Sequence, residues 1–345
     1  MLSAADEACF SAAAAAVPLL ASLSREQLSV ARLGGLTNIV FRVEARVAGG
    51  LQRYCLRCPG PGTESYIDRA AERANAEAAC RAGVGPAVLS FSDGGVLLMP
   101  LLPGETMSPE AFRSRPGAAA RAGVALRTLH HSGEAFASRF ELFEQVDKYL
   151  GELGDGTALP EGYGEALADA QAVRAALSAR PLPVAPCHCD PLCENFVDDA
   201  ESGAMRIVDF EYAGMCDPLW DVADLSVEAG LDAAKEAELL RAYFGGATPT
   251  QEEVGRVVLY KERWEEEHCR GPPSTASLTR ALGRTPQAMC DLLWTLWGLL
   301  QHKNGNPAED FWAYATGRFV RCQRLMARPD FAQHVAAVRA GQPSG

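Results

Sequence analysis

The most informative stretch runs from His188 to Asn195, His-Cys-Asp-Pro-Leu-Cys-Glu-Asn, and is followed by Asp209-Phe210-Glu211. Asp190 and Asn195 share a loop, and Asp209 ends a short apolar segment that reads as a strand. Asp190 can accept a hydrogen bond from an attacking hydroxyl, whereas Asn195 and Asp209 offer oxygen ligands suited to Mg²⁺. Phosphoryl transfer requires these three groups in one place. The stretch therefore predicts ATP- and Mg²⁺-dependent phosphoryl transfer.

The sequence differs in character on the two sides of residues 99–104. Residues 28–100 read mostly as strand, with one helix over Ser65 to Ala82, and most of the later chain has a helical period. The predicted helices of the later part cover residues 116–131, 141–152, 162–179, 219–229, 231–244, 251–268, 286–303 and 308–327. We therefore predict an α+β fold with a β-rich N-terminal lobe (1–100), a mostly helical C-terminal lobe (101–345), a hinge at 99–104 and a cleft between the lobes.

Composition narrows the possible functions. The 345 residues include 44 acidic and 32 basic side chains, a net charge of −12, which disfavours binding to nucleic acid. Eleven cysteines in a chain of this length are expected to be reduced thiols. The apolar run Ala12 to Leu20 lacks a basic leader, and no segment is long enough to span a membrane. A cytoplasmic protein is therefore expected.

Two motifs resemble those of a known family. The loop at 188–195 matches the pattern H-x-D-x-x-x-x-N, and Val208 to Gly214 matches [IV]-D-[WF]-E-Y-[AS]-G. Over roughly residues 30 to 325, the chain resembles the choline/ethanolamine kinase branch of the aminoglycoside-phosphotransferase superfamily, which has a bilobal protein-kinase-like fold. The short interval from Glu211 to Pro218 before the next predicted helix leaves no room for a protein-kinase activation segment. A small-molecule acceptor is therefore favoured over a protein acceptor.

The resemblance assigns roles within these motifs. It implies that Asp190 is the catalytic base and that Asn195 and Asp209 bind the metal. It also implies that Asp221, in the segment after the second motif, is a structural aspartate that braces the catalytic loop. His188 is expected to support this loop rather than to take part in the chemistry.

Two segments of the N-terminal lobe are predicted to bind the phosphates of ATP. Gly34-Gly35-Leu36-Thr37-Asn38 resembles the family's phosphate loop, because glycine lets backbone N–H groups approach phosphate oxygens. Arg57 ends a strand at the position of a phosphate-binding arginine, a residue that can bind phosphate through two N–H groups. Glu72 on the following helix is the predicted ion-pair partner of Arg57, with Glu77 as the alternative.

The predicted hinge would lie beside the adenine of ATP. Met99 and Leu101 are the predicted contacts there. Pro100, between them, has no N–H, so a hydrogen bond to the base must come from its neighbours.

Two tryptophans point to the acceptor. Trp294 and Trp297 share one face of a predicted helix. Such a pair often belongs to the core, but aromatic faces also bind quaternary ammonium ions, which cannot donate N–H hydrogen bonds. With Gln301, the pair matches a W-x-x-W-x-x-x-Q motif of the family. The resemblance implies an aromatic cage, with negative potential from Glu228 and Asp190, whose walls are Tyr212, Trp294, Trp297, Phe311 and Tyr314.

Two residues depart from the family pattern. Phe311 lies where many choline kinases have a tyrosine, and Leu192 lies where a polar residue is common. We expect catalysis to tolerate both departures. The preference between choline and ethanolamine cannot be predicted from either of them.

The predicted reaction is phosphorylation of the choline hydroxyl, with ethanolamine as the close alternative. A second alternative is an aminoglycoside or other small-molecule phosphotransferase, which would bind its polycationic acceptor with acidic rather than aromatic side chains. A non-enzymatic alternative is a pseudokinase-like module that binds a cation. A homodimer is compatible with the sequence.

Overall fold

The structure is a computed structural model that describes residues 2–34, 38–60, 62–63, 66–260, 288–327 and 331–340. Its N-terminal part is built on one antiparallel sheet, and its C-terminal part consists mainly of helices. The predicted α+β class is confirmed.

The N-terminal lobe contains a five-stranded antiparallel sheet of order β1-β2-β3-β5-β4. Its elements are α1 (Ala4–Ala15), α2 (Pro18–Ala21), β1 (Leu28–Gly34), β2 (Ile39–Val47), β3 (Gly50–Cys58), α3 (Arg69–Arg81), β4 (Ser90–Phe91) and β5 (Leu97–Pro100). Phe41 and Val43 of β2 are buried and alternate with exposed Arg42, as expected for a sheet with one face against a core. That face packs against Phe10 and Leu20 of the first two helices.

Helix α3 begins later than its sequence pattern predicts. The prediction started at Ser65, whereas the structure begins the helix at Arg69. The side chain of Asp68 accepts hydrogen bonds from the N–H groups of Ala70 and Ala71, and this N-cap fixes where the helix begins. Glu72 consequently lies in the first turn, facing the interior.

The C-terminal lobe contains helices and two small antiparallel sheets, β6-β8-β9 and β7-β10. Its elements are β6 (Glu105–Thr106), α4 (Pro109–Ser114), α5 (Ala118–His130), α6 (Leu142–Leu153), α7 (Tyr163–Ala179), β7 (Ala185–Cys187), β8 (Phe196–Asp199), β9 (Ala204–Ile207), β10 (Gly214–Cys216), α8 (Leu219–Glu228), α9 (Ala233–Tyr243), α10 (Gln251–Tyr260), α11 (Ala288–Lys303), α12 (Phe311–Met326) and α13 (Phe331–Ala340).

Most predicted helices correspond to observed ones. The end of the predicted helix 251–268 and the start of 286–303 lie outside the described residues. Helices α4 and α13 were not predicted. Within the described ranges, no helix has both the length and the apolar character needed to cross a bilayer.

Helix α11 is the centre of the C-terminal core. Its residues from Ala288 to Gln301 are buried on every side, as expected for a helix surrounded by others. A close approach to α12 occurs at Gly298, where a Cβ atom would lie 2.7 Å from Cδ1 of Tyr314. The glycine therefore allows the Tyr314 ring to lie directly against α11.

Candidate active site

A short hairpin brings the three predicted catalytic residues together. Strands β8 and β9 pair so that Phe196 faces Ile207, and the N–H of Val208 donates to the carbonyl of Asn195 at 2.9 Å. Asp209 therefore follows directly after the residue paired with Asn195. The side-chain amide of Asn195 donates to the backbone carbonyl of Asp190 at 2.9 Å. The catalytic loop and the end of β9 thus form one unit.

Asp221 holds the backbone of the catalytic loop through hydrogen bonds. Its fully buried carboxylate accepts the N–H groups of His188 (2.6 Å) and Cys189 (2.8 Å), and His130 Nε2 lies 3.0 Å away. A buried N–H left without a partner costs about 1–3 kcal/mol, so these bonds stabilise the loop conformation. Cys189 adopts a left-handed conformation (φ 67°) within it. The structure thus contains the bracing contact that the resemblance implied for Asp221.

His188 supports the loop through its side chain. Its Nε2 lies 2.8 Å from the carbonyl oxygen of Val208, and its ring packs against Phe210 with centroids 5.1 Å apart. These contacts connect the beginning of the loop to the segment that carries Asp209.

Asp190 lies in an acidic environment. Its side chain is half-buried, and burial raises the pKa of its carboxyl well above the usual value, with further contributions from Asp224 and Asp209. Burial and the neighbouring Glu228 also raise the pKa of Asp224. A ligand cation would relieve this repulsion. The site therefore favours a positively charged molecule beside Asp190.

A buried cluster of ion pairs connects Asp209 to residues of the N-terminal lobe. The guanidinium of Arg57 contacts Glu72, lies 2.5 Å from Asp209 Oδ1 and is 3.6 Å from Glu211. Arg69 adds contacts of 2.6 Å to Glu72 and 3.1 Å to Glu211. The sequence left open which glutamate pairs with Arg57, and in the structure this partner is Glu72.

The alternative partner of Arg57 lies elsewhere. Glu77 is exposed and pairs with Arg73 on the surface of α3 at 3.0 Å. Sequence reasoning did not find Arg69, which lies one turn before Arg73 and faces the cluster instead.

The oxygen donors beside Arg57 suit a hard divalent cation. Carboxylate oxygens of Glu72, Asp209 and Glu211 lie within 4.8 Å of one another. Burial and the neighbouring Asp209 raise the pKa of Glu211 to about 7, so added positive charge would favour its ionised form. The Asp209 side chain retains 25% exposure and can be reached from the cleft. Glu72 and Glu211 are held by Arg57 and Arg69, so Asp209 is the member of this group that can join Asn195 in the predicted Mg²⁺ site, where oxygen ligands are preferred.

Backbone conformation and a hydrogen bond orient Asp209. Its φ of 66° lies in the left-handed region, which aspartate tolerates better than most residues. The amide of Asn38 donates to its Oδ2 at 3.2 Å. Asn38 thus links the predicted phosphate loop to the predicted metal ligand.

The other predicted nucleotide contacts lie at the end of β1 and around β5. Gly34 ends β1, whereas Gly35, Leu36 and Thr37 lie outside the described residues. Met99 is buried in β5, and Leu101 packs beside it. The N–H of Leu101 donates to the carbonyl of Arg53 at 3.0 Å, so it is already used in sheet pairing. A contact from Leu101 to adenine would therefore involve its carbonyl or side chain.

The five predicted cage residues form one continuous aromatic cluster. Ring centroids are 6.2 Å apart for Tyr212 and Trp294, 6.1 Å for Trp294 and Trp297, 5.5 Å for Trp297 and Phe311, and 5.6 Å for Trp297 and Tyr314. All four pairs meet edge to face, an arrangement favoured by aromatic quadrupoles. Phe311 is almost fully buried, so a tyrosine there would need a partner for its hydroxyl.

Both indole N–H groups are hydrogen-bonded within the cluster. Trp297 donates to the hydroxyl of Tyr212 at 3.1 Å, and Trp294 donates to Asp224 at 3.3 Å. These bonds fix the orientation of the two indole rings.

Glu228 is engaged by an arginine that sequence reasoning missed. Arg318 contacts Glu228 at 2.5 Å and lies over the Tyr314 ring, 5.0 Å from its centroid. It also lies 3.2 Å from Asp291. The predicted contact of Glu228 with a substrate cation stays a prediction, since the carboxylate already has a buried cationic partner.

Helical spacing could have revealed part of this charge arrangement. Asp221, Asp224 and Glu228 recur at intervals of three and four residues, so they share one face of α8. Arg318 follows Tyr314 by four residues on α12, which likewise places them on one face. No feature of the sequence indicates that these two faces oppose each other.

Comparisons with known proteins identify the family of this chain. The sequence model described as "Choline/ethanolamine kinase" matches residues 30–322. A choline/ethanolamine kinase family protein from Mesorhizobium loti is 48% identical, with 98% of this chain and 99% of that chain covered and a TM-score of 0.77.

Two more distant proteins are also similar. Choline kinase LicA from Streptococcus pneumoniae is 23% identical over 87% of this chain and 94% of that chain, with a TM-score of 0.64. Probable choline kinase 2 from Arabidopsis thaliana is 24% identical over 83% of this chain and 82% of that protein. The structural similarities confirm the predicted bilobal, protein-kinase-like fold.

Proposed function

The chain belongs to the choline/ethanolamine kinase family and is a phosphotransferase acting on an alcohol, and we propose that it phosphorylates choline, with ATP as donor and Mg²⁺ as cofactor. Family membership supports an amino alcohol as the acceptor and a nucleotide as the donor. The cytoplasmic location and the homodimer stay predictions.

The observation that carries the choice of choline is the aromatic cluster beside acidic residues. A trimethylammonium group cannot donate N–H hydrogen bonds and binds best to aromatic faces in a negative field. The cluster supplies the rings of Tyr212, Trp294 and Tyr314, and because Arg318 lies over one face of Tyr314, a ligand there would use the other face. Asp190 and Asp224 supply the negative field.

We assign the chemical step to Asp190. Its carboxylate accepts the hydrogen bond of the choline hydroxyl and then its proton, as the hydroxyl oxygen forms a bond to the γ-phosphorus. The bond from the γ-phosphorus to the bridging oxygen breaks, and that oxygen leaves with ADP. Asn195 and Asp209 would hold Mg²⁺, which would neutralise charge on the phosphates when bound. Asp221 keeps the loop backbone in place throughout.

Arg57 holds its place in the phosphate region through buried partners. Its contacts with Glu72 and Asp209 fix the guanidinium next to the proposed metal ligand. This position suits an arginine that contacts the phosphates of ATP once the nucleotide is bound.

Ethanolamine is the second candidate, and Asp224 favours it. A primary ammonium ion needs hydrogen-bond acceptors, and Asp224 places a buried carboxylate against the Trp294 indole. The same carboxylate also provides negative potential for choline. The two acceptors differ mainly in how strongly their binding depends on the aromatic faces.

Trp297→Ala tests the aromatic acceptor site. Loss of this ring removes one face of the cage and the partner of Tyr212, so we expect the KM for choline to rise about 30- to 100-fold. The Kd for ATP should change less than twofold, because the guanidinium of Arg57 is held by Glu72, Asp209 and Glu211 rather than by Trp297. Steady-state kinetics with choline and calorimetry with ATP measure the two effects.

Trp312→Ala is the matched control. Trp312 belongs to the same pair of helices, but it is exposed and its ring contacts His302, outside the cluster, with centroids 5.7 Å apart. We expect this variant to retain the wild-type KM for choline. Equal KM values for wild type and Trp297→Ala would contradict the aromatic site and favour an acceptor held by acidic side chains alone.

A further inference from the structure

Tyr66 extends the aromatic cluster from the other lobe. It lies between β3 and α3, yet its ring stacks on Tyr212 with centroids 6.5 Å apart and planes inclined by 19°. Gln301 of α11 donates a hydrogen bond to its hydroxyl at 3.4 Å. Sequence reasoning placed no acceptor contact in this segment. The side chain is half-buried.

The same segment also contacts the nucleotide side of the site. Arg69, three residues after Tyr66, lies 3.1 Å from Glu211 and donates to the hydroxyl of Thr63 at 2.6 Å. Glu211 is the chain neighbour of Tyr212. Two consecutive residues of the C-terminal lobe, Glu211 and Tyr212, are therefore contacted by two residues of the N-terminal lobe that are three positions apart in sequence.

These contacts link the proposed choline site to the proposed nucleotide site. Tyr212 belongs to the proposed choline cage, whereas Glu211 belongs to the carboxylate cluster around Arg57. Glu72, the buried partner of Arg57, lies in the first turn of α3, the helix that begins at Arg69. A nucleotide that binds at Arg57 and holds Glu72 and Arg69 in these positions would also hold the Tyr66 ring against Tyr212.

We propose that Tyr66 is a positioning residue for the acceptor site, and that Tyr66 and Arg69 couple nucleotide binding to acceptor binding through Tyr212 and Glu211. The inference rests on the proposed function, since it takes the aromatic cluster as the choline site. Coupling of this kind is reciprocal: nucleotide raises choline affinity by the same factor as choline raises nucleotide affinity.

Tyr66→Ala tests the positioning role. We expect it to raise the KM for choline about 3- to 10-fold, the loss typical of one stacked aromatic pair, while kcat changes less than twofold. Tyr66→Phe keeps the ring and should restore the wild-type KM to within twofold. Tyr66→Leu, which keeps apolar volume but no ring, replaces the alanine variant if that variant is unstable, and should show the same rise.

Calorimetry tests the coupling. In the wild-type protein, a non-hydrolysable ATP analogue with Mg²⁺ should raise choline affinity at least threefold, and in Tyr66→Ala this increase should fall below 1.5-fold. A merely structural role would lower stability without removing the dependence of choline affinity on nucleotide. Wild-type affinity that is independent of the nucleotide analogue would overturn the coupling.

Comparison with the cage variant separates the two proposals. If Trp297→Ala impairs choline use while the ring-deleted Tyr66 variant keeps the wild-type KM and coupling, the inference about Tyr66 is wrong and the acceptor site stands. If neither variant alters the KM for choline, the proposed aromatic acceptor site itself fails.

Discussion

Asp190→Asn is expected to lower kcat for choline phosphorylation by about 10³-fold, because the amide cannot accept the hydroxyl proton. The side chain keeps its size, and Asn195 bonds to the backbone carbonyl of residue 190 rather than to its carboxylate. The loop, held by Asp221, should therefore keep its conformation. Single-turnover measurements with saturating ATP and choline report the chemical step, and the Kd for ATP should stay within twofold of wild type.

Glu194→Gln is the matched control for this prediction. Glu194 lies in the same loop, but its side chain is exposed. We expect its rate to equal that of the wild type within a factor of two. A rate for Asp190→Asn above a tenth of the wild-type value would contradict the assigned role.

The pH dependence of the reaction gives an independent check on Asp190. Burial, with Asp224 and Asp209, raises its pKa, so the reactive carboxylate is lost as pH falls through this raised value. The acidic limb of the kcat/KM profile in the free enzyme should therefore lie above about pH 4, the usual range for aspartate. The residual activity of Asp190→Asn should lack this limb.

Asp209→Asn should lower kcat by about 10²- to 10³-fold, the range for losing one group that stabilises charge in the transition state. The substitution removes the negative charge offered to Mg²⁺ and the charged partner of Arg57. The concentration of Mg²⁺ needed for half-maximal rate should rise at least tenfold. Titration of nucleotide affinity with Mg²⁺ measures the metal dependence without relying on turnover.

Asp198→Asn controls for the loss of an ion-paired aspartate. Asp198 lies on the same hairpin, is fully buried and pairs with Arg115 and Arg121 rather than with the site. We expect lower thermal stability with an unchanged Mg²⁺ requirement. An Asp209→Asn protein whose Mg²⁺ requirement matches that of the wild type would contradict its role as a metal ligand.

Short-range order in the chain makes part of the site predictable, whereas the grouping of Tyr212 with Trp294 and Phe311 was predicted only through the family resemblance. Asp190 and Asn195 occupy one loop, and the strand that precedes Asp209 pairs with the strand that follows Asn195. The Trp294 and Trp297 pair follows from the helical period alone. In each case, local hydrogen bonding or helix geometry determines where the side chain lies.

The contacts that sequence reasoning missed join segments far apart in the chain. Arg318 meets Glu228, and Tyr66 meets Tyr212, only because of how helices and lobes pack. A charge or a ring at one position does not identify its distant partner. Gly298 is a residue whose type does indicate close packing, because the absence of a side chain there allows Tyr314 to approach α11 closely.

The acceptor preference is the most direct test of the central claim. The rate of ADP formation from ATP and Mg²⁺ would be measured with choline, ethanolamine, thiamine and an aminoglycoside, each over a range of concentrations. We predict the highest kcat/KM with choline, a lower value with ethanolamine, and no turnover with the aminoglycoside. Preferential phosphorylation of the aminoglycoside, or choline binding without phosphorylation of any acceptor, would contradict the account.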